Sequence, residues 1–136
     1  MLLFVANRAL EQRAFDAVVA AGFDDITLTQ ARVAARIGPD GSRVTDLAEQ
    51  ARITKQSAAF LVEQLEAAGY VERVPDPTDR RARLVRLTPR AQRVAQAADA
   101  EVQRVLAEWA DHVGEEQLRQ VYETLRDLRQ ITDPWR

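Results

Sequence analysis

Apolar residues recur at helical spacing over most of this chain. Leu3, Ala6, Leu10, Ala14, Val18 and Ala21 predict an amphipathic helix from Leu2 to about Ala21, ended by Gly22. Thr27-Leu28-Thr29-Gln30 has the form of a capping box, so a second helix starts from Thr27 and runs through Ala31, Ala34 and Ala35 to Ile37. Gly38-Pro39 stops it, and Pro39-Asp40-Gly41-Ser42 reads as a turn. A short third helix, Asp46 to about Ala51, takes Thr45 as N-cap and turns Leu47, Ala48 and Ala51 inward. Thr54 caps a fourth, Lys55 to Ala68, with Ala58, Leu61, Val62, Leu65 and Ala68 on one stripe and Gly69 past its end.

The period then changes. Tyr70 to Val74 alternates in character, Pro75 to Arg81 is rich in turn formers, and Leu84-Val85-Arg86-Leu87 alternates again, which predicts a β-hairpin. Pro75 and Pro77 cannot donate ladder bonds and belong in its loop or at an edge. Two short helices joined by a tight turn and followed by such a ribbon make a winged helix-turn-helix. Thr88 and Pro89 then open a long helix as N-cap and N1, with Ala91, Val94, Ala98, Val102, Val105 and Trp109 along one face. Beyond Gly114, a second seam carries Leu118, Val121, Tyr122, Leu125, Leu128 and Ile131. The expected fold is mainly α and one domain: a winged helix-turn-helix over 27–87, its antiparallel β-wing at 70–87, between helical segments 1–22 and 88–136. Both flanking segments need a surface to bury against. A twofold homodimer supplies one, which makes them dimerisation helices.

Composition narrows the chemistry. The 136 residues include no cysteine, which excludes disulfides, thiolate metal ligands, cysteine nucleophiles and thiol redox sensing. A single histidine, His112, leaves no pair for zinc. No phosphate loop or nucleophile–base spacing occurs either, so an enzyme, a metal or a cofactor is not expected. No apolar stretch approaches the ~20 residues that span a bilayer. The start, Met1 to Ala6, lacks a basic n-region, so a cytoplasmic protein without a membrane partner is expected. Asp24-Asp25 and Glu115-Glu116 stand at helix starts and read as partners of the helix dipole.

The net charge of −2 conceals a segregation. Residues 1–42 carry four cations and five anions, residues 43–93 ten and seven, and residues 94–136 five and nine. Within 73–93, seven arginines face only Asp76 and Asp79. At a Debye length of roughly 8 Å a polyanion meets that patch and scarcely feels the acidic end.

Gly69-Tyr70-Val71-Glu72-Arg73, Asp76-Pro77-Thr78-Asp79-Arg80-Arg81 and Leu84-Val85-Arg86-Leu87-Thr88-Pro89 together resemble the MarR-type (multiple-antibiotic-resistance) transcriptional regulators. The wing pattern Asp-x-Arg-x-x-x-Val-x-Leu-Thr is met in full by Asp79, Arg81, Val85, Leu87 and Thr88. The resemblance covers nearly the whole chain and is densest from Val44 to Pro89. It implies a dimer on a pseudo-palindromic operator in double-stranded DNA, usually a repressor. Release is by a small-molecule effector lodged between the dimerisation and DNA-binding parts.

On that basis Thr54, Lys55, Gln56, Ser57, Ala59 and Phe60 form the start of a recognition helix facing base edges. Gln56 suits adenine, Lys55 suits guanine or phosphate, and Ala59 or Phe60 suits a thymine methyl. Phe60 departs from the polar or basic residue that similar proteins often carry, and packing inward is its other role. In the wing, the resemblance implies that Arg81 enters the minor groove, oriented by a bidentate pair with Asp79. Arg80, Arg83 and Arg86 then contact phosphate or support the ribbon. Phe15 and Trp109 are candidates for the wall of an effector site. Their plainer role, shared with Tyr122, is packing within the helical body. The alternative to a DNA-binding regulator is a winged helix that engages a protein through the same surface.

Overall fold

The computed structural model describes residues 1–133 and Trp135; Pro134 and Arg136, at the end of the segment expected to pair, lie outside it. The order is α1 (Leu2–Ala20), α2 (Leu28–Ala34), α3 (Val44–Ala51), α4 (Lys55–Ala67), β1 (Val71–Asp76), β2 (Asp79–Leu87), α5 (Pro89–Val113) and α6 (Glu115–Thr132). The mainly helical winged architecture read from the sequence is the one observed.

Three of the four threonine caps hold as expected. Thr27 accepts from the Gln30 N–H while the Gln30 side chain accepts from the Thr27 N–H, closing the capping box. Thr54 accepts from Ser57 N–H at 3.0 Å, and Thr88 caps α5 with Pro89 in its first turn. The fourth is different. α3 begins at Val44 from an extended Arg43, so Thr45 lies inside the helix and caps nothing. The cause is tertiary: Ser42 exchanges backbone hydrogen bonds of 2.9 and 2.8 Å with Val85 of β2, which keeps the chain extended up to Arg43. Gly41, at φ +96°, permits this approach; a Cβ there would lie 3.1 Å from both Leu84 Cβ and the Val85 carbonyl. α2 also stops short of Ile37, which is nonetheless buried just beyond it.

The ribbon is longer than the alternation suggests. Its turn is only Pro77-Thr78, and Pro75 pairs with Arg83 inside β1. Because β2 is flanked by β1 on one side and by the Ser42 bridge on the other, β1 is an edge strand. A proline is tolerated there.

One core joins the elements. Leu47 of α3, Val62 and Leu65 of α4, Tyr70, Val71 and Val85 are almost fully buried against Val18 of α1, Ile26, Val33 and Ala91 of α5. Gln30 adds a polar tie, donating to the Gln64 side chain at 3.0 Å and so fixing α2 to α4. The flanks contrast with this unit. α6 has no buried residue, Leu2 to Val5 of α1 are exposed, and Tyr122 stands 65% exposed instead of packing in the helical body.

Candidate nucleic-acid interface

The outer surface of α4 follows from its inner one. Ala58, Val62 and Leu65 face the core, which turns Lys55, Gln56, Ser57 and Phe60 to solvent, with Thr54 exposed at the cap and Ala59 half-buried. Phe60 does not pack inward: it is 58% exposed. The turn before this helix is made by Arg52, a non-glycine residue held in the left-handed region at φ 53°.

In the wing, the strand register leaves an excess on one side. Pro75 opposes Arg83 and Asp76 opposes Asp79, so Arg80, Arg81 and Ala82 have no cross-strand partner and form a bulge. Among the described residues Arg80 and Arg81 have no side-chain hydrogen bond and no ion pair, and both are exposed. Asp79 accepts a hydrogen bond from the Arg81 backbone N–H at 3.0 Å, and its nearest cation is Arg43 at 3.9 Å. It therefore shapes the bulge through the main chain, and no bidentate pair with the Arg81 guanidinium is present. Arg83 donates to the Arg73 carbonyl across the ribbon, and Arg86 pairs with Glu72 at 2.7 Å. Those two brace the ribbon, which leaves Arg80 and Arg81 as its available cations.

Two further groups hold this surface in place, and sequence reasoning missed both. Beside the hairpin turn, buried Asp76 accepts from the Thr78 N–H, the Thr78 hydroxyl and the Arg43 guanidinium, at 2.8, 2.7 and 2.9 Å. Thr78 first, and then Arg43, hold the Asp76 carboxyl down at about 2. The second group lies where α4 meets α5. The buried Tyr70 hydroxyl donates to Asp25, and Arg90 donates to Asp25 at 2.9 Å and to the Ala68 carbonyl. The Arg90 guanidinium also lies 4.5 Å from the centre of the Tyr70 ring, a cation–π contact. Burial, followed by Asp25, pushes the Tyr70 hydroxyl up to about 12. The same hydrogen bond, and then Arg90, holds Asp25 below the ordinary carboxylate range. Asp25 is thus the keystone of an interhelical joint, not merely a partner of a helix dipole.

Beside this joint is a cavity of about 440 Å³ between α1, α2 and α5. Its walls are largely apolar, among them Phe15, Ile26, Tyr70, Leu87 and Val94, and its polar lining includes Asn7, Glu11, Arg32 and Arg36. Trp109 is not among its lining residues; it lies half-buried further along α5. Among the described residues there is no cluster of histidine or carboxylate groups able to hold a metal, and no helix is long and apolar enough to cross a membrane.

A model of the MarR family matches residues 24–82. The transcriptional activatory protein BadR of Rhodopseudomonas palustris is 31% identical over 94 residues, which cover 69% of this chain and 53% of that protein. The chain thus spans about half the length of that relative. Solved structures reproduce the fold at lower identity. A variant of MepR from S. aureus bound to an oligodeoxyribonucleotide is 19% identical, with a TM-score of 0.64, over 97% of this chain and 96% of that one. CouR from Rhodococcus jostii RHA1, bound to p-coumaroyl-CoA, is 23% identical, with a TM-score of 0.69, over 98% and 90%.

Proposed function

The chain belongs to the MarR family of winged-helix transcription regulators, and from that premise we propose that it is a DNA-binding regulator working as a homodimer. The observation that carries this is the bulged wing tip. Two arginines without partners among the described residues project from the same unit that turns the first turns of α4 to solvent. Arg81, backed by Arg80, reaches into a minor groove, where a narrow groove concentrates negative potential. Thr54 to Ser57, with Ala59 and Phe60, face the adjoining major groove. Phosphate contacts supply most of the affinity, which therefore falls steeply with salt.

Pairing follows from the exposed apolar side chains Leu2 to Val5 on α1 and Val121, Leu125, Leu128 and Ile131 on α6. A second copy covers them and sets two winged units at half-site spacing on a pseudo-palindromic duplex. Occupying a promoter in this way excludes polymerase, so the reading is a repressor. The cavity beside Tyr70 takes a small amphipathic effector, with Phe15 in its wall. An effector releases DNA only by binding the two head arrangements with different affinity.

Selection from a pool of random duplexes, followed by gel shift at physiological salt, tests the reading. Enrichment of an inverted repeat bound by a dimer is the expected result. Failure to enrich any duplex would leave the protein-binding winged helix as the better account. Transcription in vitro from the selected site then separates repression from the activation named for BadR.

A further inference from the structure

We propose that Phe60 makes this protein a reader of the thymine 5-methyl group, so that its choice of sequence depends on an apolar contact in the major groove. The inference rests on the DNA-binding reading above and assigns one residue a specificity within it.

Among the described large apolar side chains that are left exposed, Phe60 is the one on the unit from α2 through the wing. All the others lie between Met1 and Val19 or from Val113 onward, in the two flanking segments. Phe60 therefore has no place in the pairing seams, and its own helix turns it away from the core. With Gln56, Ser57, Ala59 and Glu63 it borders a shallow recess, open to solvent, on the outer face of α4. Every residue of that border belongs to the helix, so no other part of the chain closes it.

Charge decides what the recess receives. Lys55 stands at the helix start, but near Phe60 the charged neighbour is Glu63, one turn on. A carboxylate there repels phosphate and accepts from the amino groups of cytosine or adenine, so this part of α4 suits base edges and not the backbone. The thymine methyl is the apolar group that a major-groove edge offers. An aromatic ring beside Gln56, whose amide suits adenine, gives a surface fitted to a run of A·T pairs.

The test uses the intact protein and the highest-affinity duplex from the random pool, resynthesised with deoxyuridine replacing thymidine one position at a time. At one position per half-site, wild type should lose affinity about three- to fivefold, the worth of one methyl group taken out of water. Phe60→Ala should bind the thymidine and deoxyuridine duplexes equally, with its melting temperature and salt dependence unchanged, since the side chain supports neither the core nor phosphate contacts. Phe60→Leu should keep part of the methyl preference. Three results overturn the proposal. Wild type indifferent to deoxyuridine at every position shows that no methyl is read. A Phe60→Ala variant that still prefers thymidine shows that another residue, such as Ala59, reads it. Failure to select any duplex removes the DNA-binding premise itself and this assignment with it.

Discussion

In α4 the outward side chains are placed by the inward ones. Ala58, Val62 and Leu65 are at most 1% exposed, so the direction of Gln56 and Phe60 is set by apolar packing. The outer half of the wing has no such underside. Pro75, Arg80, Arg81 and Arg83 are exposed, and the ribbon's course is set by polar contacts: the Arg43–Asp76–Thr78 clamp, the Ser42 bridge and the Arg83 bond to the opposite strand. The two differ in charge as well. The helix offers Lys55 against Glu63 and Glu66, whereas the wing tip offers two available arginines. In the proposed DNA complex the nearly neutral helix face suits base edges, and the cationic wing tip suits the negative potential of a narrow minor groove.

The largest expected effect lies under the helix. Leu65→Ala should cost about 2–5 kcal/mol, read from urea unfolding, because the cavity it leaves sits in the shared core. Base reading and backbone grip should then fail together. Arg81→Ala should leave unfolding unchanged and lower affinity for the selected duplex roughly ten- to hundredfold, the usual range for a charge-assisted contact. It should also flatten the salt dependence. Unchanged affinity in a gel shift at physiological salt would remove Arg81 from the interface.

Asp76 sharpens the contrast through pH. Its carboxyl is held at about 2, below an ordinary value of 3.8, so its folded form binds protons less readily than its unfolded form. The clamp therefore contributes fully above about pH 4 and is lost as pH falls through about 2. Thermal melts across that window should drop further for wild type than for Asp76→Asn, and at pH 7 the variant should already have faster amide exchange in the wing. Parallel melting curves would assign the clamp no energetic role. The smallest effect belongs to the turn between α3 and α4. Arg52→Gly relieves a left-handed residue at the expense of chain entropy, and should stabilise by roughly 0.5 kcal/mol with the base preference unaltered.

Local signals carried much of the fold. Thr27, Thr54 and Thr88, each with its partner within three residues, marked helix starts correctly because capping is decided by neighbours in the chain. Thr45 misled for the opposite reason: a bridge from Ser42 to Val85, far along the sequence, dictates where α3 begins. Pro75 left two places open, the loop or an edge, and the second holds, with Pro75 paired to Arg83 on the edge strand β1. Of the candidate interface, the side chains on α4 and the wing were legible from their order. The contacts that hold them were not, since Asp25 meets Tyr70 and Arg90 only through tertiary folding.

Three residues near the start of β2 have no counterpart on β1. Extra residues on one strand alone bend the finger and increase its local twist, and it is at this bend that Arg80 and Arg81 stand exposed. If the proposed DNA complex forms, base changes beneath the fingertips should be forgiven where those under α4 are not.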